Sequence, residues 1–157
     1  MHPNEQLLTR FYTAFAARDG ATMAACYAPD ASFDDPVFSL RGAQVGAMWR
    51  MLCANAREFS VEFSDIRANG TGGSANWQAR YLFSQTGRRV HNIIASSFTF
   101  RDGLIAVQRD VFDFWRWSRQ ALGAAGWVLG WSPPLRAKVR AQAGKNLERW
   151  IANQGSA

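Results

Sequence analysis

The sequence predicts an α+β domain in which helices cover one face of a curved antiparallel sheet. Residues 4–56 contain apolar positions at helical spacing, and residues 58–114 contain four segments that alternate between apolar and polar side chains. Turn signals separate these four segments. With 157 residues, 48% of them apolar, the chain is long enough for one domain with a substantial core.

Three helices are predicted before the sheet. Residues 4–18 place large apolar side chains at helical spacing after Pro3, which is a suitable first residue for a helix. Residues 21–28 form a second short helix that ends at Pro29. Residues 41–56 form the third helix, with one apolar face.

A short strand, ASFDD at residues 31–35, is expected between the second and third helices and is stopped by Pro36. Asp34 and Asp35 are adjacent, so strand alternation directs them to opposite faces. One of these carboxylates therefore points away from solvent. For Asp35 the alternative is a cap of the turn at Pro36, because Asp before Pro is common in turns.

The four segments that follow are predicted as a meander of antiparallel strands. The last two strands are joined by Asp102-Gly103, a strong hairpin signal. The predicted strands cover residues 58–68, 74–85, 90–101 and 104–114.

Alternation along the last strand gives it one face with a buried acid. Gln108, Asp110 and Phe112 share the face that points toward the helices, whereas Arg109 and Val111 take the other face. A carboxylate between an amide and a phenyl ring is either a group of a binding pocket or one half of an ion pair with a neighbouring Arg. The sequence leaves both interpretations open.

The excess positive charge lies in the C-terminal segment. Residues 115–157 contain seven basic side chains and only one acidic residue, Glu148, whereas residues 1–114 are balanced. This distribution argues against a nucleic-acid-binding domain. A short helix, a connection rich in Gly and Trp, and a last helix over 135–151 are predicted here. The segment is interpreted as a brace or lid, as a homodimer surface or, last in order, as a basic helix resting on an anionic membrane.

Several classes of function are excluded by the residues present. The sequence has no apolar run of membrane-spanning length, no secretion signal and no Cys/His spacing for a metal site, and we expect a protein without metal or cofactor. Cys26 and Cys53 fall in helical patterns and are expected as buried free thiols, which favours a cytoplasmic protein. His91 is expected on the outer face of its strand, and no nucleophile motif accompanies it.

The segments FYTAFAARDGATMAACYAPDASFDDPVFSLRG and FTFRDGLIAVQRD resemble the nuclear transport factor 2-like superfamily, which includes ketosteroid isomerases, limonene epoxide hydrolases and SnoaL-like polyketide cyclases. The resemblance covers roughly residues 5–114. It implies a cone, formed by a bent sheet around the N-terminal helices, with an apolar pocket at its mouth. Residues 1–114 are then the cone domain and residues 115–157 an extension packed on it or on a partner chain.

The same resemblance implies roles for single residues. The base of the isomerases corresponds to Asp35, but their two oxyanion donors correspond to Phe11 and Ser96, so steroid isomerisation by that mechanism is disfavoured. Tyr12, next to Phe11, is expected on a different helical face. The hydrolases need an Arg and an Asp on the strand HNIIASS, which offers neither. The SnoaL-like cyclases use an acid of the last strand, which Asp110 supplies.

The expected site combines two acids, polar groups and rings. Two opposed acids in a dry pocket are expected to have separated pKa values, so that one acts as a base and the other as an acid. The expected catalytic residues are Asp35 and Asp110, and the expected ligand-binding residues are Phe11, Trp77, Tyr81, Phe83, Asn92, Ile94, Ser96, Phe98, Gln108 and Phe112.

Three hypotheses of function follow. The first is a cofactor-free isomerase or cyclase that transfers a proton on a hydrophobic cyclic or carbonyl ligand. The second is a domain that binds an apolar molecule without turning it over, because the oxyanion donors are missing. The third is an interaction domain whose tail contacts a partner or a membrane. A homodimer is also expected, since this superfamily often dimerises through its sheet.

Overall fold

A computed structural model describes residues 1–155 of the chain. The helices are α1 (Pro3–Ala16), α2 (Gly20–Ala25), α3 (Ala43–Asn55), α4 (Phe114–Leu122), α5 (Ala124–Leu129) and α6 (Pro133–Gly155). The strands are β1 (Tyr27–Asp34), β2 (Ser39–Arg41), β3 (Ser60–Ala68), β4 (Gly72–Phe83), β5 (Arg88–Arg101) and β6 (Leu104–Val111). The α+β class predicted from the sequence is confirmed, with helices at both ends of the chain and the sheet between them.

The six strands form one sheet in the order β2-β1-β6-β5-β4-β3. Four of the five neighbouring pairs are antiparallel, including the three pairs of the predicted β3–β6 meander, but β1 and β6 run parallel. They can do so because the long connection through α3 and the β3–β5 meander returns β6 to the β1 edge in the same direction. Register shifts interrupt β3 near residues 64–67 and β5 near residues 99–100, and such irregularities bend strands.

Some element boundaries differ from the predictions. The first strand begins at Tyr27, so the second helix ends at Ala25 and is shorter than expected. The three-residue strand β2 was not predicted, because so short a segment carries no measurable alternation. The Gly- and Trp-rich connection contains a further helix, α5, and the last helix begins at Pro133.

Helix α1 lies against the inner face of the sheet and supplies much of the main core. It buries side chains on more than one of its faces, since the sheet and the other helices surround it. Its start is fixed by Pro3 and by His2, whose Nδ1 accepts a hydrogen bond from the Asn4 backbone N–H at 3.0 Å. The buried apolar residues of α1 are Leu7, Leu8, Phe11, Tyr12, Ala14 and Phe15.

The C-terminal extension packs on the same chain. Helix α4 forms a second apolar cluster with β5, consisting of Val90, Phe114, Trp117 and Ala121. Helix α6 contributes Leu147 to the main core. Residues 156–157 of the predicted extension lie outside the described residues. No helix within residues 1–155 is long and apolar enough to span a membrane.

Candidate functional site

The parallel pairing of β1 and β6 sets the two predicted acids next to each other. Residues Phe33 and Asp34 pair with Gln108 and Arg109, and continuing this register by one residue brings Asp35 beside Asp110. Phe33 and Gln108 are both buried, so alternation directs Asp35 and Asp110 to the same inner face. Both acids therefore lie at one end of the parallel pair.

Asp110 is a buried carboxylate with only half of its hydrogen-bonding capacity used. Its side chain is 3% exposed. Its Oδ1 accepts hydrogen bonds from Ser96 Oγ at 2.6 Å and from Gln108 Nε2 at 2.9 Å. Its Oδ2 accepts none from any residue between 1 and 155. One oxygen is thus fixed by the fold, and the other is left for a proton or a ligand.

The two donors to Asp110 are themselves held by aromatic side chains. Ser96 Oγ accepts from the Tyr12 hydroxyl at 3.0 Å and from Trp77 Nε1 at 2.8 Å, so its donor and both acceptor positions are used. The Gln108 Oε1 accepts from the Tyr27 hydroxyl, which in turn accepts from Trp49 Nε1 at 2.7 Å. This polar network fixes the position of the carboxylate inside an otherwise apolar core.

Tyr12, which the sequence places on a different helical face from Phe11, contributes to this network. Its hydroxyl reaches Ser96, and both Tyr12 and its neighbour Phe11 are fully buried. Because α1 is enclosed on several sides, adjacent residues both enter the interior. A signal was present in the sequence, since Leu8, Tyr12 and Phe15 follow the spacing of one helical stripe.

Asp35 has a structural role as well as a place in the site. Its Oδ1 accepts from the backbone N–H groups of Val37 at 2.7 Å and Phe38 at 2.6 Å, which caps the turn at Pro36. Arg140 of α6 donates from its guanidinium to the Pro36 carbonyl at 3.1 Å, and its charge acts on Asp35. The C-terminal helix therefore reaches the end of β1 where the two acids meet. Arg140 was not predicted, because nothing in the sequence relates α6 to this turn.

Both acids are more basic than an ordinary Asp, for which the pKa is 3.8. Burial raises the pKa of Asp110 to about 7, opposed by the hydrogen bonds from Ser96 and Gln108. Burial raises the pKa of Asp35 to about 6, opposed by the two backbone N–H groups and by Arg140. The charge of Asp35 contributes least to the raised pKa of Asp110. Burial, and not repulsion between the two acids, is therefore the main cause of the raised pKa of Asp110.

The predicted apolar ligand-binding side chains are divided between the two apolar clusters. Phe11, Trp77, Ile94 and Phe98 belong to the main core, Phe83 packs against Trp117 under α4, and Tyr81 and Phe112 contact both clusters. The Tyr81 hydroxyl accepts from Trp117 Nε1 at 2.8 Å, and burial raises the pKa of this tyrosine to about 12. Phe83 therefore lies apart from the network around Asp110, whereas Tyr81 and Phe112 lie between the clusters.

Asn92 is the one predicted polar residue of the site that is left without a partner in the described part of the chain. Its side chain is 8% exposed and forms no hydrogen bond with residues 1–155. It lies on the same inner face of β5 as Ser96 and pairs with Ala79 of β4. Its amide atoms are not among the fully enclosed polar atoms that lack a partner, so they border accessible space and are open to a hydrogen bond from outside the fold.

Other polar groups near the ends of these strands face outward or cap helices. Asp34 forms an exposed ion pair with Arg41 at 3.3 Å. The His91 Nε2 lies 2.8 Å from Gln78 Oε1, remote from the inner face. Asp113 caps α4 by accepting from the Arg116 backbone N–H at 3.1 Å. Residues 1–155 contain no group of three or more His, Cys, Asp or Glu side chains that could hold a metal ion.

Comparison with known proteins identifies relatives of this architecture. A family model described as a SnoaL-like domain matches residues 8–108. No curated protein matches the sequence. Among solved structures, the chain is similar to an LEH-like epoxide hydrolase of M. tuberculosis, with 22% identity, a TM-score of 0.64 and coverage of 81% of this chain and 96% of that one.

Two further structures show the same fold. An NTF2-like protein of unknown function from Burkholderia pseudomallei has 22% identity and a TM-score of 0.66, with coverage of 76% of this chain and 98% of that one. A protein with a ketosteroid isomerase-like fold from Catenulispora acidiphila, in complex with trimethylamine, has 13% identity and a TM-score of 0.67, with coverage of 81% and 98%. At these identities the likeness establishes the fold alone.

Proposed function

This chain belongs to the SnoaL-like domain family, with the NTF2-like fold, and from that premise we propose that it is a cofactor-free enzyme of the isomerase or cyclase type. It would transfer a proton on an apolar small molecule that carries a carbonyl group. The observation that carries this proposal is Asp110, a buried carboxylate with a pKa of about 7 and an unbonded oxygen. A carboxyl group with such a pKa exchanges protons readily at neutral pH.

The two pKa values support a division of roles between the acids. At pH 7 a group with a pKa of about 6 is mostly ionised, so Asp35 would be the base that removes a proton next to the carbonyl. Asp110 is then protonated in about half of the molecules, and its Oδ2 would donate the proton to the carbonyl oxygen. The C–H electron pair becomes the C=C bond of an enol. The enol then takes a proton back from Asp35 at the same or another carbon and returns its O–H proton to Asp110 Oδ2, which restores the carbonyl group and both acids. No redox partner is needed.

Recognition of the ligand would use groups that the fold leaves free. The amide of Asn92 has no partner within residues 1–155, and Tyr81 and Phe112 present rings where the two apolar clusters meet. Such a mixture of aromatic walls and a few polar groups is typical of small-molecule sites. Because Asp110 is 3% exposed, a ligand would reach it only after an outward movement of the side chains that cover it.

The proposal is tested with a probe that reports proton removal directly. α-Tetralone, an apolar bicyclic ketone, is incubated with the protein in D₂O, and loss of the proton signal next to its carbonyl is followed by NMR. Wild-type protein should accelerate exchange above buffer, and Asp35→Asn and Asp110→Asn should each lower the rate by roughly 10²–10⁴-fold. Asp102→Asn in the exposed β5–β6 turn is the matched control and should leave the rate unchanged. Equal rates for all four proteins and buffer would refute proton transfer on ketones.

A second candidate function is binding of an apolar molecule without turnover. It is favoured by Ser96, whose three hydrogen-bonding positions are all used within the protein, and by Phe11, which has no donor. Neither can stabilise a developing oxyanion. Chemical-shift changes of the protein on adding α-tetralone, without any accelerated exchange, would support this function over the first.

We also propose a homodimer and a cytoplasmic location. The outer face of the sheet exposes Ile93, Val107 and Val111, and apolar residues grouped on one sheet face are typical of an interface. A molar mass in solution twice that of the chain, reduced by Val111→Lys, would support the dimer. Cys26 and Cys53 are buried free thiols, which suits a reducing compartment.

A further inference from the structure

The segment around α5 exposes an unusual amount of apolar surface. Trp127, Val128 and Leu129 of α5 and Trp131 just after it are each about half exposed or more, reaching 67% for Val128 and 73% for Trp131. We call these four residues the apolar tip. Single exposed apolar residues are ordinary, but four large ones lie within five positions here, and such concentrations of exposed apolar surface mark interaction sites.

A cleft lined by arginines lies directly beside the apolar tip. It has a volume of about 350 Å³ and is lined by Arg88, Arg89, Arg116, Arg119, Gln120 and Trp127. We call it the arginine cleft. Trp127 belongs to both features, so they are continuous. No acidic side chain lines the cleft, and among the described residues only Arg89 of the four arginines forms an ion pair, with Glu58 at 3.1 Å.

Arg119 is held in place without a charged partner. Its guanidinium lies 4.2 Å from the ring centroid of Trp115 and 4.6 Å from that of Trp127. Its Nε is buried and has no hydrogen-bond partner within residues 1–155. Arg88 is fixed similarly by donating its Nε–H to the Gln120 carbonyl at 2.8 Å. Arginines that are already ordered lose less conformational entropy when they bind an anion.

We propose that the apolar tip and the arginine cleft together form a peripheral binding site for an anionic phospholipid bilayer. The tip would enter the interfacial region, where Trp side chains are favoured, and the cleft would take a lipid phosphate. Arg is suited to this role because its planar guanidinium matches the geometry of phosphate oxygens. The association is reversible, because the tip is short and carries no spanning helix.

The charges and the apolar surface together favour a bilayer over other occupants. A second copy of this chain would bring an equal cluster of arginines against the first, without acids to neutralise them. A soluble phosphate would fill the cleft but leave the apolar tip in water. A nucleic acid would satisfy the arginines, but Val128 and Leu129 would find no apolar partner along its backbone. A bilayer surface alone offers phosphate and apolar material side by side.

The test measures co-sedimentation of the full chain with vesicles of phosphatidylcholine alone and of phosphatidylcholine with about one third phosphatidylglycerol. The protein should partition at least tenfold more strongly into the anionic vesicles. Each basic residue at an anionic surface contributes about fivefold, which corresponds to about 1 kcal/mol. Arg116→Gln with Arg119→Gln should therefore weaken partitioning about 25-fold.

Matched variants separate local binding from general attraction. Arg41→Gln with Arg101→Gln removes the same charge at distant positions and should change partitioning less than fivefold. Val128→Ser with Trp131→Ser alters only exposed side chains, so the fold is retained, and it should abolish most of the binding. Equal binding to both vesicle types, or an equal effect of the control pair, would overturn the proposal. Binding of inorganic phosphate or of a single-stranded oligonucleotide, without binding to either type of vesicle, would also overturn the proposal.

Discussion

Replacing Asp110 by asparagine removes a charge from the core while keeping most of its contacts. The amide oxygen of asparagine can accept the same two hydrogen bonds that Ser96 and Gln108 donate to Oδ1. The amide nitrogen replaces Oδ2, which has no partner within residues 1–155 but is not fully enclosed, so the new donor gains no partner from the fold. That donor costs up to about 1–3 kcal/mol at every pH.

The energetic effect of the charge itself depends on pH, and its sign follows from the direction of the shift. The pKa of Asp110 is raised from 3.8 in an unfolded chain to about 7 in the fold, so the folded state binds the proton more tightly. The wild type is unaffected below pH 3.8 and loses stability as the pH rises toward 7. The loss from this group is roughly 1.7 kcal/mol at pH 5 and roughly 4 kcal/mol at pH 8. Asparagine does not titrate.

The free energy of unfolding in urea, measured for both proteins between pH 5 and pH 8, tests this reasoning. The free energy of unfolding of Asp110→Asn, relative to that of the wild type, should rise by roughly 2–3 kcal/mol from pH 5 to pH 8. At pH 5 the variant should be as stable as the wild type or less stable, and at pH 8 it should be equally stable or more stable. Asp102→Asn, at an exposed turn, controls for the general loss of one acid and should give a flat difference. A flat difference for Asp110→Asn as well would show that this carboxyl group titrates normally, and the proposed proton transfer would lose its basis.

Three further predictions concern packing and the C-terminal helix. Ser96→Ala leaves a buried phenol and a buried indole without their acceptor and should lower the free energy of unfolding by about 2–4 kcal/mol, measured in urea. Gly126→Ala places a Cβ 2.0 Å from a carbonyl oxygen of α4 and should lower the melting temperature. Gly144→Ala in α6 meets nothing within 4 Å and should raise the free energy of unfolding by about 0.5–1 kcal/mol. A melting temperature that moves in the same direction in both variants would contradict this packing. Arg140→Gln removes the cation that lowers the pKa of Asp35, so the carboxyl titration of Asp35 followed by NMR should move to higher pH, and an unchanged midpoint would place α6 away from this acid.

The parts of the fold that depend on local signals could be predicted. The hairpin of β5 and β6 is specified by Asp102-Gly103, and both residues have the positive φ angles, 54° and 75°, that a type I′ turn requires. Alternation along β6 likewise assigns the inner face to Gln108 and Asp110 correctly, since the strand period is two. The parallel pairing of β1 with β6 could not be predicted, because it joins segments about 75 residues apart and no local pattern specifies it.

The candidate site was predictable in its acids but not in their surroundings. Asp110 is identified by strand alternation, and Asp35 only through the family resemblance. The partners that fix Asp110 come from elements remote in sequence, such as Tyr12 on α1 and Trp77 on β4. Their side-chain directions depend on how the sheet closes around the helix, which spacing alone does not determine. For the same reason Arg140, about a hundred residues from Asp35, has no sequence signal that relates it to the site.

The energetics of Asp110 argue that its carboxyl group serves more than the fold. At neutral pH its burial costs roughly 2–4 kcal/mol, which is a large part of the 5–15 kcal/mol that keeps a domain folded. Neither of its two hydrogen bonds requires an acid, because an amide oxygen can also accept them from Ser96 and Gln108. The surrounding network stabilises the ionised form only in part, and it leaves Oδ2 free. A group that lowers stability, has an ordered position and retains a free oxygen is what proton transfer needs, because the cost of burial is then the source of its raised pKa.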